Sequence, residues 1–170
     1  MTTIDLATIL SNISQSLVPV EQMMTALSYV LGILFVISGL FKLTKIKARS
    51  REHASVPLVY ILGGGVLIYL PSSIEVMSTT FFGSSNILQY SKVTTFTVYD
   101  SVKLLVQTAG LIWFIRGTVL LVHAAEPGKQ HGIKGMLFVV AGIFAMNLDF
   151  TVSAIDQALT YLMSLGMQAA

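Results

Sequence analysis

The sequence contains no cysteine. Disulfide staples, thiolate nucleophiles and Cys-ligated metal centres are therefore excluded. Charge is nearly as scarce. Only 11% of the 170 residues are Asp, Glu, Lys or Arg, where a soluble domain carries about 25%. Nor do the three histidines, His53, His123 and His131, stand at the i,i+4 spacing of a helical metal pair. Gly128-Lys129 lacks the upstream glycine and the following Ser or Thr of a phosphate loop, and no serine sits in Gly-x-Ser-x-Gly. Nothing assembles a nucleophile with a base, so no catalytic, cofactor-binding or metal residue is expected and the chain reads as a non-enzyme. The first charges are Asp5 and Glu21, with no basic region ahead of an apolar core, so no cleaved signal peptide is expected.

What is abundant is apolar sequence: 54% of the residues, with a mean hydropathy of +0.79. Four runs are long enough to cross a bilayer as helices. They predict transmembrane helices over 23–41, 56–77, 104–123 and 135–155. Pro71 is placed to kink or end the second. Residues 4–20 have Leu6, Ile9, Leu10, Ile13 and Leu17 on one helical face, with Thr8, Ser11, Asn12, Gln15 and Ser16 opposite, which predicts either a separate amphipathic helix ended at Pro19 or an ordinary helix leading into the first span. It carries no Lys or Arg, and so packing on a partner or the outer leaflet is expected rather than attraction to anionic lipid. A second amphipathic stretch follows Asp149. The expected fold is an all-α integral membrane protein, with 1–170 as a single membrane domain.

The charges orient it. The connections 42–55 and 124–134 hold seven basic residues, Lys42, Lys45, Lys47, Arg49, Arg51, Lys129 and Lys134. The opposite side, including the connection 78–103, holds Lys92 and Lys103 and six of the eight acids. Basic loops are retained in the cytoplasm. The reading is two helical hairpins with cytoplasmic tips and both termini periplasmic.

Sliding the chain along itself without a gap, until Gly32 meets Gly110, lays one hairpin on the other. Gly39 then meets Gly117, Gly64 meets Gly142 and His53 meets His131, among seven identities in the 48 pairs from Tyr29 to Val76. Both hairpins enter and leave in the same sense, which makes a parallel internal repeat. Ser28, Gly32 and Gly39 form a small-residue seam on the first span. With Gly63, Gly64, Gly65, Gly110, Gly117 and Gly142, they are the expected helix-packing positions, because small residues let backbones approach closely in lipid.

The intramembrane polar candidates are Arg116, Asn147, Asp149 and Glu75. An Arg at a helix centre costs about 2.5–3.5 kcal/mol on insertion scales. Arg116 is expected to snorkel to the cytoplasmic headgroups, or to bond carbonyls of the Gly63–Gly65 run or a group on a partner. Asp149 and Glu75 mark the periplasmic interface, with a proton-relay role as the sharper alternative. Lining of a path by Arg116, Asn147 and Asp149 would make the chain a small channel or transporter.

Several segments together resemble the IcmC/DotE family of inner-membrane proteins from type IVB secretion systems, which includes TraQ-like proteins of related conjugation systems. They are Ser38-Gly39-Leu40-Phe41-Lys42-Leu43, Pro57-Leu58, Gly63-Gly64 with Leu70-Pro71, and Thr80-Phe81-Phe82-Gly83 in the first part. In the second they are Phe114-Ile115-Arg116-Gly117 and Gly132-Ile133-Lys134-Gly135 continuing through Ala141 to Asn147. The order and spacing of these pieces over about residues 25–150 carry the resemblance. It implies a non-enzymatic subunit of a translocation machine, with other membrane subunits, copies of itself and the bilayer as partners, and no direct nucleic-acid binding or cofactor.

Overall fold

The computed structural model describes residues 6–45, 55–83 and 98–168. Lys47, Arg49 and Arg51 of the basic loop, and His53, lie outside the described residues. The described residues form six helices and no strand: α1 (Leu6–Thr44), α2 (Ser55–Ile68), α3 (Leu70–Phe82), α4 (Val98–Ala124), α5 (Gly132–Met146) and α6 (Leu148–Gln168). Gln15–Thr44 of α1 and Val98–Ala124 are each long and apolar enough to cross a membrane, and the pairs α2–α3 and α5–α6 supply up to two further crossings if each bent pair is one span.

The first difference from expectation is at Pro19. No helix ends there. Residues 4–20 do not form an element of their own, because α1 runs unbroken through the proline. A proline inside a helix removes one N–H and crowds the carbonyl four residues back, at about 3 kcal/mol. A full break next to the bilayer would strip several backbone donors and acceptors of partners at once, which costs more.

The second difference is at the far ends of the hairpins. Residues 56–77 and 135–155 are not straight spans. α2 and α3 meet at 96° about Tyr69, and α5 and α6 meet at 95° about Asn147. At about 1.5 Å per residue, α2 and α5 reach only about 21–22 Å, short of a hydrocarbon core of about 30 Å. Pro71 sits in the first turn of α3, so the proline fixes the start of the new helix rather than a kink in the old one.

Each bend frees backbone carbonyls, and side chains take them up. At the first, Ser73 Oγ donates to Val66 O (3.1 Å) and Ser28 Oγ lies 3.2 Å from Leu67 O. At the second, Thr151 Oγ1 donates to Phe144 O (2.8 Å) and Gln107 Nε2 donates to Met146 O (3.1 Å). Buried carbonyls without such donors would be costly in an apolar setting. Ser73 and Thr151 occupy equivalent positions under the offset that pairs Gly32 with Gly110. So do Val66 and Phe144, and Tyr69 and Asn147.

The glycines hold each hairpin together. A Cβ on Gly32 would lie 2.7 Å from Gly64 O, and one on Gly64 2.7 Å from Gly32 O. The same reciprocal approach joins Gly110 and Gly142, at 2.8 and 2.7 Å. Further along, a Cβ on Gly39 would meet Pro57 O at 3.0 Å and one on Gly117 would meet Gly135 O at 2.8 Å. In each case the obstruction is backbone, so no larger residue is accommodated without separating the helices.

α1 also packs on α4, which brings the hairpins side by side. Between them, Leu70 and Ile74 of α3 meet Leu111 and Phe114 of α4 and Ile143 and Met146 of α5 in one buried cluster. α6 leaves the body: from Val152 to Leu165 its residues are exposed.

Candidate functional site

Polar side chains join the two halves of the chain at three levels. At the tip level, Lys42 near the end of α1 donates to Glu126 Oε1 at 2.7 Å, and the Tyr60 hydroxyl of α2 donates to the same oxygen. Lys129 pairs with the other carboxylate oxygen of Glu126. The Lys42 ammonium also lies over the Tyr60 ring, 3.6 Å from its centroid. Phe35, Tyr60 and His123 form an edge-to-face trio behind this cluster, and His123 Nδ1 lies 2.8 Å from Val119 O. Hydrogen bonds from Lys129, Lys42 and Tyr60 hold the Glu126 carboxyl far below the usual carboxylate range. The cluster therefore fastens the α4–α5 turn onto the first hairpin through a carboxylate that is ionised at neutral pH.

At the next level lies a buried carboxylate. Glu21 of α1 is 7% exposed, and Thr108 Oγ1 of α4 sits 2.8 Å from its Oε1. The single hydroxyl hydrogen of Thr108 is shared with Leu104 O, also at 2.8 Å. Nearby, α1, the end of α2, α3 and α4 line an open, largely apolar cavity of about 750 Å³, with Gln22, Thr25, Tyr29, Ile68, Pro71 and Leu111 among its walls.

At the bends, Asn147 Nδ2 donates to Ser78 Oγ (2.8 Å) and to Ile143 O (2.9 Å), while its Oδ1 has no partner. Asn147 and Ser78 are both buried. Two residues on, Asp149 accepts from Lys103 and from the Tyr99 hydroxyl at the exposed start of α4.

The sequence candidates are thus dispersed. Asn147 ties α5 to α3, Asp149 pairs with α4, and Glu75 is exposed on α3. Arg116 is exposed, and its guanidinium lies 5.4 Å from the Phe138 ring centroid. It does not reach the Gly63–Gly65 run. Gly64 faces α1, Gly63 faces Val122 of α4, and Gly65 faces open space. Ser28 is fully buried at the α1–α2 seam. Lys45 is exposed just past the end of α1. Among the described residues no group of three or more His, Asp and Glu could hold a metal ion.

Residues 17–70 match DUF308, a family described as a short repeat of unknown function. No curated protein and no solved structure matches the chain. The matched segment covers most of α1 and all of α2, and stops at the bend after Tyr69. It is one hairpin with its Gly32–Gly64 and Gly39–Pro57 contacts. The corresponding contacts of the second hairpin, Gly110–Gly142 and Gly117–Gly135, lie beyond the match.

Glu21, Thr108, Tyr60 and Glu126 were not singled out by sequence. Glu21 reads there as an interfacial charge on the acidic side of the molecule. Its one distinguishing signal is position: an acid within the apolar helix Gln15–Thr44, where an ionisable side chain is expected to face protein rather than lipid. The Glu126–Lys42 pair spans 84 residues and leaves no local trace.

Proposed function

We propose that this chain is a non-enzymatic assembly component of a bacterial inner-membrane translocation machine, of the type IVB secretion or conjugation class. Its four membrane segments form two hairpins in a parallel repeat, with the basic tips in the cytoplasm and both termini in the periplasm. The observation that carries the reading is how the polar residues are spent. Lys42, Tyr60 and Glu126, Glu21 with Thr108, and Asn147 with Ser78 each bond one half of the chain to the other. They hold a shape rather than converge on a substrate. Arg116 remains exposed on α4 beside the Phe138 ring, a place where a partner in the membrane can neutralise it.

The resemblance in sequence to IcmC/DotE proteins supports the choice of machine. The close glycine contacts supply the rigid unit that such a subunit presents to its neighbours. A channel within one chain is the weaker reading: Phe114, Ile143 and Leu67 fill the interior, and Arg116, Asn147 and Asp149 line no common path.

The test is extraction in mild detergent from cells that contain the complete apparatus. Co-purification with other inner-membrane subunits of the apparatus is expected. Migration as a free monomer would refute the assignment.

A further inference from the structure

The two halves meet head to tail. Between the halves α1 packs on its counterpart α4; beside that contact α2 packs on α4 and α3 touches α5, while the exchanged pairs, α5 on α1 and α6 on α2, make little or no packing among the described residues. One face of each kind is therefore left open, at positions that can be read from the internal repeat. On α3, Ile74 and Ser78 are fully buried against the second half. Their counterparts on α6, Val152 and Asp156, are exposed. The surface that receives α3 includes Ile143 and Asn147, at 0% and 3% exposure. The counterparts in the first half are Gly65, with nothing near its absent Cβ, and Tyr69, 69% exposed.

We propose that α6 of one copy seats on the α1–α2 hairpin of a second copy, in the way α3 seats on the α4–α5 hairpin within the chain. This rests on the assembly reading above and names a partner for it. The contact replaces Ser78 with Asp156 and Asn147 with Tyr69 of the second copy. The replacement keeps a hydrogen bond, because a tyrosine hydroxyl donates to a carboxylate. The chain already forms that pair twice, at Tyr60–Glu126 and Tyr99–Asp149. Gly65 leaves room where Ile143 fills it in the internal contact, so the larger Tyr69 has space to turn toward α6. Lipid is the poorer occupant: α6 carries Asp149 and Asp156 and no Lys or Arg, and thus gains nothing from an anionic headgroup. A contact between unlike faces propagates, into a ring where its rotation closes and into an open row of copies where it does not.

The absence of native cysteine permits a direct test. Two differently tagged copies, one carrying Tyr69→Cys and the other Asp156→Cys, are made together in membranes of cells lacking any secretion apparatus, then oxidised. The 18.4 kDa chains are expected to shift to twice that mass and to carry both tags. Tyr69→Cys with Ala158→Cys, on the opposite face of α6, is expected to stay monomeric. A Ser78→Cys/Asn147→Cys chain, which cross-links internally, reports that the hairpins are folded. If that internal bond forms while the 69–156 pair gives no more dimer than the 69–158 pair, α6 lies on lipid or on another protein and the proposal is overturned. Because the cells lack the apparatus, the result is independent of co-purification: dimer without co-purification would sink the choice of machine and leave the contact standing.

Discussion

Thr108 places its hydroxyl 2.8 Å from the Glu21 carboxylate across the α1–α4 crossing, 87 residues away in sequence and with both side chains buried. It is the sole hydrogen bond to that carboxylate among the described residues. Thr108→Val keeps the shape and removes the donor. A buried acceptor left without its partner costs about 1–3 kcal/mol, so the variant is expected to unfold at lower temperature in detergent. Glu21→Gln, which still accepts from Thr108, is expected to retain the native midpoint. The double replacement Glu21→Leu with Thr108→Val should recover most of the loss, since an apolar pair leaves nothing unsatisfied. A Thr108→Val protein as stable as the parent would show that the bond carries no weight.

Gly64 and Gly65 are adjacent and make opposite demands. A Cβ on Gly64 would sit 2.7 Å from Gly32 O, and one on Gly65 meets nothing within 4 Å. Gly64→Ala is therefore expected to separate α1 from α2 and lower stability by about 1–3 kcal/mol. Gly65→Ala is expected to be neutral or to stabilise by up to about 1 kcal/mol, because alanine favours the helix over glycine. Thermal unfolding of the two variants side by side reads the difference.

Glu126 makes the stability of the tip depend on pH in one direction. Its folded-state pKa lies far below the ordinary 4.5, chiefly through hydrogen bonds from Lys129 and Lys42. A carboxyl depressed on folding contributes stability that is complete above its unfolded pKa and is lost as pH falls through the folded value. The unfolding midpoint of the native chain should therefore exceed that of Glu126→Gln at neutral pH. The gap should narrow steadily from about pH 5 down to about pH 3. A constant gap across that range would mean the carboxylate is not held by its cations.

Asn147 couples the second bend to α3. Asn147→Leu removes the donor to Ser78 Oγ and to Ile143 O together with an unpartnered Oδ1. Loss of two buried bonds at about 1 kcal/mol each is offset in part by removal of the orphan oxygen. Protease digestion should cut near the α5–α6 junction sooner than in the parent, with the α1–α2 hairpin still resistant.

Sequence alone marks the first bend through Pro71 and leaves the second illegible, for a physical reason. Laying one half on the other singles out Gly32, Gly64, Gly110 and Gly142, but which of these glycines touch, Gly32 with Gly64 and Gly110 with Gly142, appears only in the packed structure. The apolar spans 23–41 and 104–123 lie within α1 and α4, whose helices continue past both ends of each run. The bend at Asn147 has no such signature: no proline marks it, and the apolar run passes straight to Leu148. What permits the turn is a donor from another helix, Gln107, on the Met146 carbonyl, and Thr151 reaching back to Phe144. The Gln107 bond exists only once α4 is packed on α5, and the Thr151 bond only once the chain has turned. Of the two readings open for residues 4–20, the structure takes the helix that leads into the first span, since a single proline costs less than a whole broken helix end. Glu21 and Glu126 acquire their roles from partners 87 and 84 residues distant.

Cysteine labelling from outside intact spheroplasts tests the central claim most directly. With no native cysteine to interfere, Tyr90→Cys in the connection between α3 and α4 is expected to react with a membrane-impermeant maleimide. Gln130→Cys in the α4–α5 turn is expected to react only after the membrane is opened. Labelling of Gln130→Cys in sealed cells, with Tyr90→Cys protected, would invert the molecule and contradict the account.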